Sequence, residues 1–113
     1  MLPKINRLKR EDFPKILKTG RRVRGKFLTL FCQREKNENP PKMGIILTKK
    51  AFKSAVARNK AKRRIRNVLI EEVLPQEQKG FSGIIMVYQG FSELKYAEIR
   101  AEIKKLLAAT RAK

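Results

Sequence analysis

The chain has 113 residues, 42% of them hydrophobic, with 29 Lys and Arg against 10 Asp and Glu and a formal net charge of +19. That length suits one domain, 1–113, able to bury roughly two-thirds of its unfolded surface. The apolar content is too high for wholesale disorder, and no apolar run reaches the roughly 18 residues that would span a membrane. Histidine is absent and Cys32 is the only cysteine. These two facts exclude an internal disulfide, a cysteine-based zinc cluster and any Ser-His or Cys-His nucleophilic pair. Any catalysis is expected to sit on something other than this chain's side chains. So large a charge on so small a fold repels itself, which implies a neutralising partner. Nucleic acid is the first expectation; a merely supercharged soluble surface and an anionic membrane surface are the alternatives. The N-terminal Met1-Leu2-Pro3-Lys4 lacks the apolar core of a secretory signal, so a cytoplasmic location is expected.

In chain order, residues 10–19 predict a short helix. Glu11 or Asp12 can cap it, Pro14 suits its first turn, and Phe13, Ile16 and Leu17 share one face. Gly20 follows as a terminator. Residues 22–34 predict one strand with Phe27, Thr29 and Phe31 on one face and Leu28, Leu30 and Cys32 on the other. A polar stretch from Glu35 to Lys42 predicts a turn, and Met43 to Thr48 a second strand joined to the first as an antiparallel hairpin. A long helix is expected from about Ser54 to Leu74, ended by Pro75 and Gly80. The continuous apolar run Ile84-Ile85-Met86-Val87 predicts a central strand covered on both faces. Ser92 can cap a last helix whose buried stripe is Ile99, Ile103, Leu106 and Leu107, with a frayed tail from Thr110. The expected fold class is α+β: a mainly antiparallel central sheet with packed helices.

The long helix carries the functional signal. At 100° per residue, Ala57, Ala61, Ile65, Val68 and Leu69 form a narrow apolar stripe. Arg58, Lys62 and Arg66 form a ladder beside it. Asn59 and Arg63 form a second ladder, and Lys60, Arg64 and Asn67 the opposite flank. No acid occurs between Lys53 and Glu71, so the i,i+4 pairs are like-charged, at about 0.2–0.5 kcal/mol each. Cations crowd the helix N-terminus and glutamates its C-terminal end, the reverse of what the helix dipole favours. Bound phosphates would relieve the cationic conflicts together. No zinc finger or leucine zipper is present, and a basic helix near an aromatic strand suits single-stranded or folded RNA.

These residues resemble a known family, the protein subunit of bacterial ribonuclease P. The resemblance runs through Asn6-Arg7-Leu8, Arg10-Glu11-Asp12-Phe13, Gly20, Lys26-Phe27-Leu28-Thr29-Leu30-Phe31 and Gly44-Ile45-Ile46-Leu47-Thr48-Lys49-Lys50. It is most specific at Ala55-Val56-Ala57-Arg58-Asn59-Lys60-Ala61-Lys62-Arg63-Arg64-Ile65-Arg66. Lys60 stands where the family typically has Arg, keeping the charge but losing the planar fork. The resemblance implies a ribosomal-protein-S5-domain-2-like fold with a left-handed βαβ crossover. It implies that Lys53, Arg58, Asn59, Lys60, Lys62, Arg63 and Arg66 bind the catalytic RNA subunit. It implies a cleft for the 5′ leader of precursor tRNA at Phe13, Leu17 and Phe31, with Lys49 and Lys50 beside it. Leu17 replaces a frequent aromatic, giving apolar contact without a stacking platform, and strand alternation makes Phe31 the better cleft candidate of the two strand phenylalanines.

The implied activity is that of an endoribonuclease holoenzyme maturing tRNA 5′ ends. Its chemistry belongs to the RNA subunit and its Mg²⁺, with no ion held by protein side chains, no membrane and no obligate protein partner. A non-enzymatic RNA-binding module, such as a ribosomal protein or assembly factor, is the alternative. An independent protein nuclease is a third reading, for which the sequence offers no convincing acidic cluster.

Overall fold

A computed structural model describes residues 3–48, 52, 54–77, 79–87 and 95–111. Its elements are α1 (Phe13–Thr19), β1 (Arg21–Arg24), β2 (Thr29–Arg34), β3 (Lys42–Leu47), α2 (Ala55–Val68), β4 (Phe81–Val87) and α3 (Tyr96–Arg111). The strands form one sheet in the order β1-β2-β4-β3. β1 pairs antiparallel to β2, β2 antiparallel to β4, and β3 parallel to β4. The fold is therefore α+β with a mainly antiparallel sheet, and α2 lies on the crossover between the parallel neighbours β3 and β4.

The expected hairpin between the second and third strands does not form. β4 lies between them, and the reason is its composition. Ile84 and Ile85 point to opposite faces and both have 0% exposure, so this strand needs cover on both sides. A central slot supplies that cover, and β3 takes the edge. The single strand expected over 22–34 is two strands. Gly25 N–H donates to the Leu28 carbonyl at 2.8 Å, and Lys26 N–H donates to Glu102 Oε1 at 2.7 Å, making a turn between them. Phe27 sits in that turn and packs on the α2/α3 side, not on the Phe31 face.

Strand alternation divides the core. Leu30, Cys32, Ile85 and Val87 meet Ile65, Val68, Ile99 and Ile103 on the face covered by α2 and α3. Phe31 and Ile84 meet Ile16 and Leu8 on the face covered by α1. Each fully buried Ile or Leu contributes about 1.5–3 kcal/mol, so the α2/α3 side holds most of the stability. Ile99, Ile103, Leu106 and Leu107 are buried as their spacing predicts. The tail expected to fray from Thr110 does not fray there. Thr110 is buried, its hydroxyl donates to the Leu107 carbonyl at 2.7 Å, and its own carbonyl accepts from Arg21 at 3.0 Å. The Ser92 cap, like Lys49, Lys50 and Lys53, lies outside the described residues.

Cys32 is buried, and burial pushes its thiol above the ordinary value of 9.0, with nearby Arg34 pulling the other way. The unfolded thiol gives up its proton first as pH rises, so this group's contribution to stability falls above that value. Unfolding midpoints in urea between about pH 8 and pH 10 should fall less steeply for Cys32→Ala than for the wild type.

Candidate nucleic-acid interface

α2 begins at Ser54, which holds an extended backbone and whose hydroxyl accepts from Ala57 N–H at 3.0 Å. Ala61, Ile65 and Val68 are buried, so the apolar stripe faces the sheet as its spacing requires. The helix ends in one π turn, Leu69–Val73. The glutamates there do not stand unpaired against the dipole. Glu72 bridges Arg100 at 2.7 Å and Lys104 at 3.6 Å, and Glu71 accepts from Tyr96 Oη at 2.8 Å. Their unfavourable position on α2 serves to dock α3.

The cations have no such internal explanation. Lys15–Glu35, Arg34–Glu77, Lys79–Glu38 and the Glu72 pairs engage other residues. Among the described residues, none of these bridges reaches Arg58, Lys60, Lys62, Arg63 or Arg66. The two ladders occupy different environments. Asn59, Lys60 and Arg63 are exposed on the outer face, whereas Arg58, Lys62 and Arg66 are half-buried and lean toward β3. The Arg58 Nε–H is buried with no acceptor among the described residues. A buried donor left unmet costs about 1–3 kcal/mol, which is a standing demand for an anionic or carbonyl acceptor.

β3 is an edge of the sheet. The N-terminal segment covers only its start: Arg7 bridges to Met43, and Leu8 N–H donates to the Met43 carbonyl at 3.0 Å. Beyond that point, Ile45, Ile46 and Leu47 border a groove of about 280 Å³ closed on the far side by Arg58 and Lys62. A second hollow of about 250 Å³ adjoins it, where Phe13, Gly44 and Arg7 meet Lys62 and Arg66. The Phe13 ring lies directly against Gly44, where any Cβ would overlap it. Glycine at 44 is what lets an aromatic ring from α1 reach across the sheet to the basic helix.

The structure thus brings Phe13 together with Lys62 and Arg66, and adds Arg7, which the sequence offered only within the resembling segment Asn6-Arg7-Leu8. Phe31 is 9% exposed and packs beneath α1 with Ile16 and Ile84, so Phe13, half-buried, presents the more accessible ring. Leu17 packs half-buried in that same cluster. Lys60 is exposed. Among the described residues, no three Asp, Glu or Cys side chains converge as a metal site, and no helix is long and apolar enough to cross a membrane.

Comparison with known proteins agrees over nearly all of the chain. The family model for Ribonuclease P matches residues 2–111. The ribonuclease P protein component of Microcystis aeruginosa is 42% identical over 110 residues, covering 94% of this chain and 91% of that protein. The corresponding component from Pseudanabaena is 37% identical, covering 96% and 93%. A solved RNase P protein from Staphylococcus aureus superimposes with a TM-score of 0.81 at 26% identity, over 96% of this chain and 90% of that one. With its mixed sheet, its basic crossover helix and this match over residues 2–111, the chain belongs to the ribonuclease P protein family.

Proposed function

We propose that this chain binds the catalytic RNA of ribonuclease P through α2 and guides the 5′ leader of precursor tRNA through the groove beside β3. Family membership carries the role in tRNA processing. The observation that carries the finer reading is the placing of two differently shaped basic surfaces on one helix. The exposed face, with Asn59, Lys60 and Arg63, is suited to phosphates of a large folded RNA. The half-buried ladder Arg58, Lys62 and Arg66 closes a groove whose other wall includes Phe13. A groove with one aromatic ring and a line of cations fits a single strand, whose bases stack and whose phosphates need neutralising.

In this reading Mg²⁺ belongs to the RNA subunit, which performs the phosphodiester hydrolysis, and the protein binds, orients and screens charge. The match over residues 2–111 favours this over a ribosomal protein or assembly factor.

The test is a pair of substrates. Reconstituted with a bacterial ribonuclease P RNA, the protein should tighten binding of a leader-bearing precursor tRNA roughly tenfold or more, the worth of about one stacked base with its phosphate contacts. Binding of the same tRNA without a leader should change little. Equal tightening of both substrates would remove the leader groove from the account.

A further inference from the structure

Arg58 carries the one buried polar side-chain atom without a partner among the described residues, its Nε–H. The residue as a whole is half-buried. It lines the groove of about 280 Å³ with Ile45, Ile46, Leu47 and Lys62. Its backbone N–H is already taken by the Ser54 carbonyl at 3.1 Å. β3 is an open edge here. Its Met43 carbonyl accepts from Leu8 N–H at 3.0 Å, and beyond that point no strand pairs with its outer side among the described residues. No carbonyl of that edge takes the Arg58 Nε–H either.

The residue type narrows the acceptor. A lysine keeps its only donors at the tip, so it can bury its stem and leave its charge in water. The same helix uses lysine in this way at Lys60 and Lys62. Arginine adds a donor set back from the tip, and that is the donor held inside the groove. With a neighbouring Nη–H it forms one side of the guanidinium fork, two parallel donors that match two oxygens of a single phosphate. The lining agrees with an anion. It holds two cations, three aliphatic residues and no carboxylate. Ile45 and Leu47 are packed against the main core, and such apolar walls strengthen a hydrogen bond formed between them.

We infer that Arg58 clamps one phosphate of the strand in this groove side-on, through Nε–H and an Nη–H, and so sets the register of that strand. Lys62 and Arg66 hold no buried unmet donor, so they neutralise whichever phosphates lie beside them. Arg58 selects one. The inference rests on the reading of the groove as the path of the 5′ leader. It adds that the leader is fixed at a single phosphate, rather than held evenly along the ladder.

The test is a scan of the leader on the reconstituted holoenzyme. Precursor tRNAs carry one uncharged methylphosphonate, at each leader linkage in turn. One linkage should stand out, with binding weakened roughly tenfold or more, as for a lost charge-assisted hydrogen bond. The others should lose roughly threefold or less, as for exposed ion pairs. The large loss should persist at higher salt, where the small ones fade, because a buried pair is screened less. Arg58→Lys keeps the charge and removes the fork, so its profile should be flat. Arg66→Lys should keep the outstanding linkage, whatever it does to overall affinity. A flat wild-type profile would overturn the clamp. So would an outstanding linkage that survives Arg58→Lys, or one that Arg66→Lys removes equally. A flat profile on a leader that is still bound defeats the clamp alone, whereas equal tightening of leader-bearing and leaderless tRNA defeats the leader groove and the clamp with it.

Discussion

Replacing Arg58, Lys62 and Arg66 together by Gln is expected to weaken RNA binding about 10²-fold at about 0.15 M salt and to leave the fold intact. The magnitude follows from counterion release. Each neutralised phosphate adds about 0.7–0.9 to the slope of log affinity against log salt, so three lost contacts should flatten that slope by about 2–3. Stability should hold or improve. None of the three forms an ion pair among the described residues, and Arg58–Lys62 and Lys62–Arg66 are repulsive neighbours one turn apart, at about 0.2–0.5 kcal/mol each. Arg58 also carries a buried donor with no acceptor among the described residues. Titrating a leader-bearing precursor tRNA onto the reconstituted holoenzyme at several salt concentrations, beside a urea melt of each protein, separates the two effects. An unfolded triple variant would mean that the ladder braces β3. An unchanged slope would mean that it meets no phosphate.

Ile65→Ala should have the opposite signature, a loss of about 2–5 kcal/mol of stability with the salt slope unchanged. Ile65 has 0% exposure and lies in the stripe, with Ala61 and Val68, that holds α2 to the sheet. The stripe is narrow because so much of the helix surface is given to cations, so few neighbours can close over a lost side chain. Ile65→Val should cost only about 0.5–1.5 kcal/mol. Chemical unfolding of both variants checks the values. A cost below about 1 kcal/mol for the alanine variant would show that α2 is held chiefly by its ends.

The contrast between these two variants shows what a reader of the sequence could see. The stripe and the ladders are local: residues three and four apart on a helix share a face whatever the rest of the chain does. Ala61, Ile65 and Val68 were therefore legible, as were the stripe from Ile99 to Leu107 and the doubly covered strand around Ile84 and Ile85. Pairing across a sheet is not local. Nothing between residues 22 and 48 states that β4, some forty residues later, will insert between β2 and β3. Nor does alternation along β2 say that α1 will close over Phe31 and leave Phe13 as the more accessible ring. That depends on Gly44, whose missing side chain matters only once α1 is known to cross it.

The two glutamates at the end of α2 teach the same point. Read along the sequence, Glu71 and Glu72 oppose the helix dipole as the cations do, and both look like marks of a ligand. In the fold they find Tyr96, Arg100 and Lys104 on α3, and only the cations remain to be explained.

The decisive measurement is cleavage of a precursor tRNA at low Mg²⁺ by a bacterial ribonuclease P RNA, with and without this protein. Strong stimulation is expected when protein and RNA are combined, with the 5′ leader released and no cleavage by the protein alone. A folded protein that fails to stimulate a compatible RNA, or one that cleaves the precursor unaided, would contradict it.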